Sequence, residues 1–385
     1  MPACPKLDVG GQAVIEGVMM RSARSFAVVC RRPNGEIVVK EDAWQPVWSR
    51  LGFLKWPFLR GGVALLEAMV NGIAALSFSA NQQVLGEAEA EAAAAKARGD
   101  GASASATSGQ PGKSKPAAAP AELSKAAVVL MVITSIAMGM ALFVGAPHLI
   151  TWLLGFDSSS VAFHAVDGAI KMVILLGYLG LIGLMPDVRR VFQYHGAEHK
   201  AIYTYEQGLP LTVDNARAQT RFHPRCGTSF LLIVITTSII LFALVLRFPI
   251  SGSKVVDNLA KIAIKIPLMF PVAGIAYEAI KLSGRFAQKN LFVRMLTAPG
   301  LLLQNLTTRE PTDDQLEIAL VSIRKTLWRE RLLAAEAAAA KSAGAVVTSA
   351  GPVATAAAAR TSAPAAPAQM VQVYRGIAEV DLPLA

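Results

Sequence analysis

The sequence predicts a mainly α-helical, polytopic membrane protein with about four transmembrane helices, one re-entrant or interfacial helix and a small N-terminal β-hairpin head. Of its 385 residues, 53% are hydrophobic and only 17% are charged, whereas about a quarter of a soluble domain is charged. The apolar residues are also clustered, because no Asp, Glu, Lys or Arg occurs in Ala126–Phe156 or in Cys226–Leu246. Since about 20 apolar residues span a bilayer, a soluble Rossmann enzyme, a secreted disulfide scaffold and a free nucleic-acid-binding domain are excluded.

Residues 1–60 are predicted to form a cytoplasmic head that contains the β-hairpin. Two runs rich in β-branched residues, Phe26–Cys30 and Glu36–Lys40, flank an Asn-Gly dipeptide, which is typical of tight hairpin turns. A glycine-punctuated apolar stretch precedes the hairpin, at Gly10–Arg21. Its spacing fits no phosphate-binding loop, so composition alone assigns it no role.

The segment 61–80 is apolar but carries Glu67 and Asn71 one helical turn apart. A charge near the bilayer centre is costly, so this segment is predicted to be an interfacial or re-entrant helix. Residues 86–122 consist mainly of Ala, Gly, Ser, Pro and Glu without a core-forming pattern. They are therefore predicted to be a disordered linker.

The membrane domain is predicted over residues 123–311, and its four spans are expected at 126–150, 167–185, 228–247 and 262–282. The fourth span has the weakest pattern, since Pro267 and Pro271 interrupt it. After it, Thr312 and Gln315 resemble a capping box, which predicts an amphipathic helix over 312–340. The Ala- and Pro-rich residues 341–385 are predicted to be a disordered tail.

The distribution of Lys and Arg predicts the orientation in a bacterial-type inner (cell) membrane. The segments 1–60, 186–225 and 281–311 together carry 20 basic residues, against four in 247–265 and none in 156–165. Basic loops stay in the cytoplasm, so the protein is predicted to be multi-pass with both termini cytoplasmic. The formal net charge of +10 is then an orientation signal that also favours anionic lipid. The expected partners are the lipid bilayer and a second copy or another membrane protein, with no nucleic acid.

The candidate chemistry lies in the His-rich loop 186–225, where Tyr194–Lys200 contains the pattern H-x-x-E-H. Four-residue spacing places His195 and His199 on one helix face, able to bind a single cation, with Glu198 beside them. This is the order of the inverted zincins, in which two histidines bind zinc and the glutamate is the catalytic base. Gly196 inside the pattern lowers its helix propensity.

The same loop ends with His223 and Cys226, three residues apart. His195, His199, His223 and Cys226 could complete a tetrahedral site for a divalent metal, with zinc expected from the ligand types. Four protein ligands would make a closed structural site, whereas catalysis needs an open position. If His223 or Cys226 does not bind the metal, a water can enter and Glu198 can deprotonate it.

Other interpretations stay open on the residues alone. The histidines could instead form ordinary hydrogen bonds in a helical hairpin, with Cys226 as a small buried apolar residue. Glu67 and Glu278 at membrane depth would suit a transporter or channel, although Glu278 could also pair with Lys281 or Arg285. Glu16 and Glu67 are expected to be structural unless they meet the histidine loop in space. A metal that only staples the loop would belong to a structural or assembly protein.

Three motifs together resemble the YqhQ-like bacterial membrane proteins. They are Gly10–Arg21 (GGQAVIEGVMMR), Tyr194–Lys200 (YHGAEHK) and His223–Phe230 (HPRCGTSF), and the similarity extends from about residue 8 to about residue 330. That family is a domain of unknown function, sometimes labelled a predicted metal-dependent enzyme. The resemblance therefore implies a membrane protein with a metal site, at which a metal-dependent hydrolase is one reading, and it implies no substrate.

Overall fold

The computed structural model describes residues 7–44, 59–99, 125–286, 291–349, 370–376 and 379–380. The chain divides into two compact units, and each is described by itself. Unit 1 comprises Met1–Ala88, Leu179–Leu232 and Ala273–Ala385. Unit 2 comprises Glu89–Tyr178 and Ile233–Val272.

Helices dominate the described part of the chain. They are α1 (Leu59–Gly99), α2 (Lys125–Met140), α3 (Ala146–Leu153), α4 (Val161–Ile182), α5 (Pro186–Glu206), α6 (Val213–Arg217), α7 (Gly227–Val245), α8 (Lys254–Phe286), α9 (Leu291–Thr307) and α10 (Asp313–Ser349). A π-helical turn, Ala141–Gly145, joins α2 to α3. The predicted capping box is present at the start of α10, where Thr312 N donates a hydrogen bond to Gln315 Oε1 at 3.0 Å.

Within the described residues, five helical segments are long and apolar enough to cross a membrane: Arg60–Ala94, Leu130–Leu153, Val161–Ile182, Gly227–Val245 and Lys254–Lys281. The last four coincide with the four predicted spans. Pro267 and Pro271 lie inside α8 without ending it, so the segment that had the weakest pattern is one continuous helix of 33 residues.

Three predictions about the less regular segments need correction. α1 is one uninterrupted helix of 41 residues, so it contains no re-entrant reversal, and it includes residues 86–99 of the predicted linker because Ala and Glu are strong helix formers. The His-rich segment is largely helical, in α5 and α6. The predicted tail contains the end of α10 and a strand, Met370–Tyr374. Residues 100–122 of the linker and 350–369, 377–378 and 381–385 of the tail lie outside the described residues.

Unit 1 contains a five-stranded antiparallel sheet whose strands are neighbours in chain order: β1 (Gly10–Val14), β2 (Gly17–Arg21), β3 (Ser25–Arg31), β4 (Ile37–Ala43) and β5 (Met370–Tyr374). The predicted hairpin is confirmed as β3 and β4. Its turn places Gly35 at φ 88°, a conformation that glycine adopts without strain. The glycine-punctuated stretch Gly10–Arg21, to which composition assigned no role, forms the β1–β2 hairpin. Strand β5 extends the sheet by pairing with β4.

Both faces of the sheet are covered, because consecutive residues of β2 and β3, which point to opposite faces, are buried. On one face, Val18 and Met20 pack in a cluster with Ala197 and Ala201 of α5 and Leu320 of α10. On the other face, Val14, Met19 and Val28 pack against Ala75 of α1. The sheet thereby fixes α5, the helix that carries the H-x-x-E-H pattern.

The two-residue turn between β1 and β2 is tied to α5. Glu16 in this turn has φ 51°, an uncommon conformation for a residue with a side chain. Its carboxylate accepts hydrogen bonds from the guanidinium of Arg190, with Nη2 at 2.5 Å from Oε2. The hydroxyl of Tyr194 donates to the same oxygen at 3.3 Å. Glu16 therefore meets the His-rich segment 186–225, the case in which the sequence assigned it no purely structural role, and it connects the hairpin to α5.

Candidate metal centre

The two histidines of the H-x-x-E-H pattern lie side by side on α5. The helix begins with Pro186 at its first turn and Asp187 beside it, both favourable at a helix N-terminus. Ala197 and Ala201 face the sheet, and the rings of His195 and His199 lie on another face with their centroids 4.5 Å apart. The helical spacing read from the sequence therefore brings the two imidazoles together.

Backbone carbonyl groups determine which nitrogen each imidazole presents. His195 Nδ1 lies 2.8 Å from the carbonyl oxygen of Thr307, and His199 Nδ1 lies 2.5 Å from that of Arg221. A carbonyl oxygen only accepts, so Nδ1 is the protonated nitrogen of each neutral ring, and the lone pair is then on Nε2, on the side away from the carbonyl. Burial lowers the pKa of His199, which favours the neutral ring. Metal-binding histidines are held by this arrangement.

Cys226 brings a sulfur atom to the same place. Its Sγ lies 3.2 Å from His195 Nε2, and the ligand atoms of His195, His199 and Cys226 all lie within 4.8 Å of one another. Cys226 immediately precedes α7, and Thr228 N donates to Sγ at 3.4 Å. Two imidazole nitrogens and one sulfur are donors that zinc accepts, so the donor set fits this metal.

His223 lies next to this cluster but uses its ring nitrogens elsewhere. Its ring centroid is 5.6 Å from that of His199. Nδ1 accepts the Arg225 backbone N–H at 3.3 Å, so the proton is on Nε2, which lies 3.4 Å from Glu206 Oε2. Burial lowers the pKa of His223 to about 4. In this arrangement His223 has no free lone pair for a metal.

Glu198 is buried beside the histidines and contacts the sheet. The Gly11 backbone N–H donates to its carboxylate, and burial raises the pKa of Glu198 against the opposing effects of His195 and His223. A Cβ atom at Gly11 would lie 2.9 Å from Glu198 Cδ. The glycine-rich motif of β1 and the H-x-x-E-H motif of α5 are therefore in direct contact.

The glycine inside the pattern also has a structural reason. A Cβ atom at position 196 would lie 2.2 Å from the carbonyl oxygen of Arg309. The segment after α9 approaches α5 here, and Arg309 N donates to the carbonyl oxygen of Phe192 at 2.8 Å. Gly196 thus costs helix propensity but permits the approach that brings Thr307 to His195.

Several residues of the site were not among those predicted from the sequence. Gln304 is completely buried; its Oε1 accepts His223 N at 2.8 Å, and its Nε2 donates to the carbonyl oxygen of His223 at 2.8 Å. Arg221 and Thr307 act through carbonyl oxygens, which every residue type possesses. No pattern in the sequence indicates which backbone carbonyl groups will contact the histidines. Gly11, in contrast, lies in the Gly10–Arg21 motif, which is a signal that the sequence does contain.

The other carboxylates singled out from the sequence lie away from this cluster. Glu278 forms an ion pair with Arg60, whose Nη2 lies 2.5 Å from Glu278 Oε2. Glu67 is buried in α1. Neither residue is in the group that could hold a metal. The use of Glu67 or Glu278 in transport stays an untested prediction.

In the part of the chain that the structure describes, the fold and the site together define a mainly helical protein with five long apolar helices, a small antiparallel sheet and a His–His–Cys cluster. The chain belongs to the family described as "Protein of unknown function (DUF1385)", whose model matches residues 56–329. It is 33% identical over 331 residues to "Uncharacterized protein YqhQ" of Bacillus subtilis (strain 168), covering 84% of this chain and 93% of that relative. No solved structure matches the chain. The YqhQ-like resemblance is thus confirmed.

Proposed function

We propose that this is an integral protein of a bacterial cell membrane with both termini in the cytoplasm. The support is the five long apolar helices and their outward side chains. The last four are proposed to cross the membrane, an even number that leaves both termini on one side, and the first, Arg60–Ala94, which packs against the sheet, is proposed to lie at the membrane interface. Leu130, Ile133 and Met138 of the second of these helical segments are all more than half exposed, and water would not tolerate so much apolar surface. The basic residues around the His–His–Cys cluster favour its placement at the cytoplasmic face.

Membrane extraction and cysteine labelling test this placement. The full-length protein should stay with the membrane in alkaline carbonate and dissolve only in detergent. An impermeant maleimide should label Leu209→Cys from the cytoplasmic side and Gly252→Cys from the opposite side, in a Cys4→Ser background. Labelling of both positions from one side would refute the topology.

For the site we propose a zinc centre with His195, His199 and Cys226 as ligands. One observation carries this proposal: both imidazoles are anchored through Nδ1 to backbone carbonyls and present Nε2 beside the same sulfur. Three protein ligands are the number found in catalytic zinc sites, which keep a fourth position for water or substrate. His223 is assigned a positioning role, since Gln304 holds its backbone on both sides.

The activity that we propose for this centre is hydrolysis. Zinc would supply a Lewis acid that activates water. Glu198 is the carboxylate that would accept the proton from the attacking water, because it is buried next to the ligands and within the electrostatic reach of His195 and His223. The Gly11 N–H holds this carboxylate in place. No contact in the described residues indicates a substrate.

A second candidate is a structural metal site that only holds the fold together, and the burial of the cluster residues favours it. His199, Glu198 and Cys226 are 2%, 5% and 6% exposed. The groups that converge here come from separate segments, namely α5, the residues before α7 and the end of α9. Structural zinc sites are closed in this way and contribute folding energy.

Metal analysis of the purified full-length protein tests the ligand set. Wild type should contain about one zinc per chain, and both the His195→Ala/His199→Ala double variant and Cys226→Ser should lose it. Cys30→Ser is the matched control, since Cys30 is also buried but lies in β3. His223→Gln should keep the metal. Metal-free wild type, or loss in the control alone, would refute the centre.

The Glu198→Gln variant distinguishes a catalytic metal site from a structural one. Both candidates predict that the variant keeps its zinc, because Glu198 is not a ligand. If the site is catalytic, the variant loses the cellular function measured by complementation of a deletion strain. If the metal is only structural, the variant keeps this function. Glu310→Gln is the control, since Glu310 is exposed and pairs with Lys200.

A further inference from the structure

Unit 2 contains two stripes of buried ionisable residues inside otherwise apolar helices. On α4 they recur at intervals of three and four residues, and on α8 at intervals of four, so each set lies on one helix face. All six residues are at most 6% exposed. They are His164, Asp167 and Lys171 of α4 and Asp257, Lys261 and Lys265 of α8.

The stripes meet at Asp167. Lys171 Nζ lies 2.5 Å from Asp167 Oδ2, and Lys265 Nζ lies 3.2 Å from the same oxygen. Lys265 Nζ also lies 2.9 Å from Nδ1 of the buried His148 of α3. Helix α7 contributes the ring of Phe242 to this cluster, and the ammonium groups of Lys171 and Lys265 both lie over that ring. Two lysines therefore share a single carboxylate oxygen in an apolar bundle.

The charges of this group do not balance. The group contains three ammonium groups, those of Lys171, Lys261 and Lys265, but only two carboxylates. Lys261 pairs with Asp257 at 2.9 Å, so Asp167 is left as the carboxylate for both Lys171 and Lys265. An unmatched buried charge is expensive. Among the described residues, moreover, Asp167 Oδ1 and both ring nitrogens of the buried His164 lack a hydrogen-bond partner. The group thus has one cation in excess and unused proton acceptors beside it.

A polar cleft of about 810 Å³ opens at one end of these stripes, lined by residues that include Ser158, Asp257 and Asn258. His148 Nε2 lies 2.9 Å from Asn258 Oδ1, so His148 connects Lys265 with the wall of the cleft. Lys261 Nζ donates to Ser158 Oγ at 2.9 Å. Hydrogen-bonded contacts therefore run from the cleft to the shared carboxylate.

We propose that the Asp167–Lys171–Lys265 cluster is a proton-binding site, which exchanges protons with the aqueous phase through this cleft. The excess positive charge argues against a metal cation as the ligand. The ammonium groups already donate to protein acceptors, which argues against a bound anion. A proton is the ligand that this group can release to balance its charge, and His148 and His164 can relay it.

The inference rests on the proposed membrane placement and is independent of the metal centre. Lys171 lies ten residues after the start of α4, which at 1.5 Å per residue is a depth of about 15 Å. That is about half of a 30 Å hydrocarbon core. Ionisable residues at such a depth are rare and are typical of proton relays.

Proton uptake by the full-length protein in liposomes tests the site. The external pH is stepped between about pH 5 and about pH 9, a range in which an exposed lysine stays protonated. Lys265→Met removes the unmatched cation and keeps an apolar side chain of similar length, so the variant should fold. It should exchange about one proton fewer per chain than wild type. Lys254→Met, an exposed lysine of the same helix, is the control, and equal uptake in wild type and Lys265→Met overturns the proposal.

Infrared difference spectra over the same pH step test the carboxylate directly. A carboxylate band should respond to pH in wild type and vanish in Asp167→Asn, but persist in Asp157→Asn, whose carboxylate lies at the mouth of the cleft. A wild-type spectrum without any pH-dependent carboxylate band overturns the proposal even if Asp167→Asn fails to fold. Carbonate extraction of the same preparation reports separately whether the membrane placement fails.

Discussion

Gly11 joins the sheet to the candidate metal centre, so its replacement by alanine should disturb both. The backbone N–H of Gly11 donates to the buried carboxylate of Glu198. A methyl group at this position would lie 2.8 Å from Met19 O, 2.8 Å from Met20 Sδ and 2.9 Å from Glu198 Cδ. Carbon atoms in favourable contact are about 3.5–4.0 Å apart, so at least one of these groups has to move.

The size of the effect follows from which group can move. The methionine side chain is flexible, but Met19 O belongs to the β1–β2 pairing and Glu198 is buried on α5. Overpacking of this kind costs about 1–3 kcal/mol. For a protein of this size we expect the melting temperature to fall by roughly 2–4 °C per kcal/mol. Displacement of Glu198 next to His199 should also lower the zinc content.

Gly10→Ala provides the matched control for Gly11→Ala. Gly10 is the preceding residue of the same strand, and a Cβ atom there meets no atom of the described residues within 4 Å. Both variants are purified in detergent, and thermal melting and bound zinc are measured on the same preparations. The reasoning is refuted if the two variants melt within 1 °C of each other, a difference below about 0.5 kcal/mol.

Three further predictions concern unit 1. Burial opposes ionisation of Glu330, but hydrogen bonds from Ser22 and Arg24 outweigh it and hold the pKa of Glu330 below its usual value. Its carboxylate therefore stabilises the fold above the unfolded-state pKa of about 4.3. This contribution is lost as the pH falls through the lower folded-state pKa. The melting temperature of Glu330→Gln should therefore fall less steeply with decreasing pH than that of wild type. Gly196→Ala should cost about 3 kcal/mol and zinc, because its methyl group would lie 2.2 Å from a backbone carbonyl oxygen; unchanged melting would contradict that close approach. Burial raises the pKa of Cys30 to about 12 against the effect of a nearby arginine, so maleimide should label it only after unfolding, as mass spectrometry would show.

The membrane-type helices were predictable because their signal is local. A run of about 20 apolar residues is recognisable without knowing what it contacts, and the same holds for the Asn-Gly turn between β3 and β4. The β1–β2 hairpin and β5 were not predicted. β5 lies more than 320 residues after its partner β4, and a five-residue strand has too little pattern of its own to indicate such a pairing.

By itself, the sequence determined that His195 and His199 share a helix face, because helix geometry places residues four apart together. It also indicated that His223 and Cys226 belong to the same segment of the chain. Only the tertiary structure decided which atoms face one another. Backbone carbonyls from distant segments orient both imidazoles, while the hydrogen bonds of His223 engage its ring nitrogens. A carbonyl group is common to all residues, so its position depends on the packing of the chain and not on residue type.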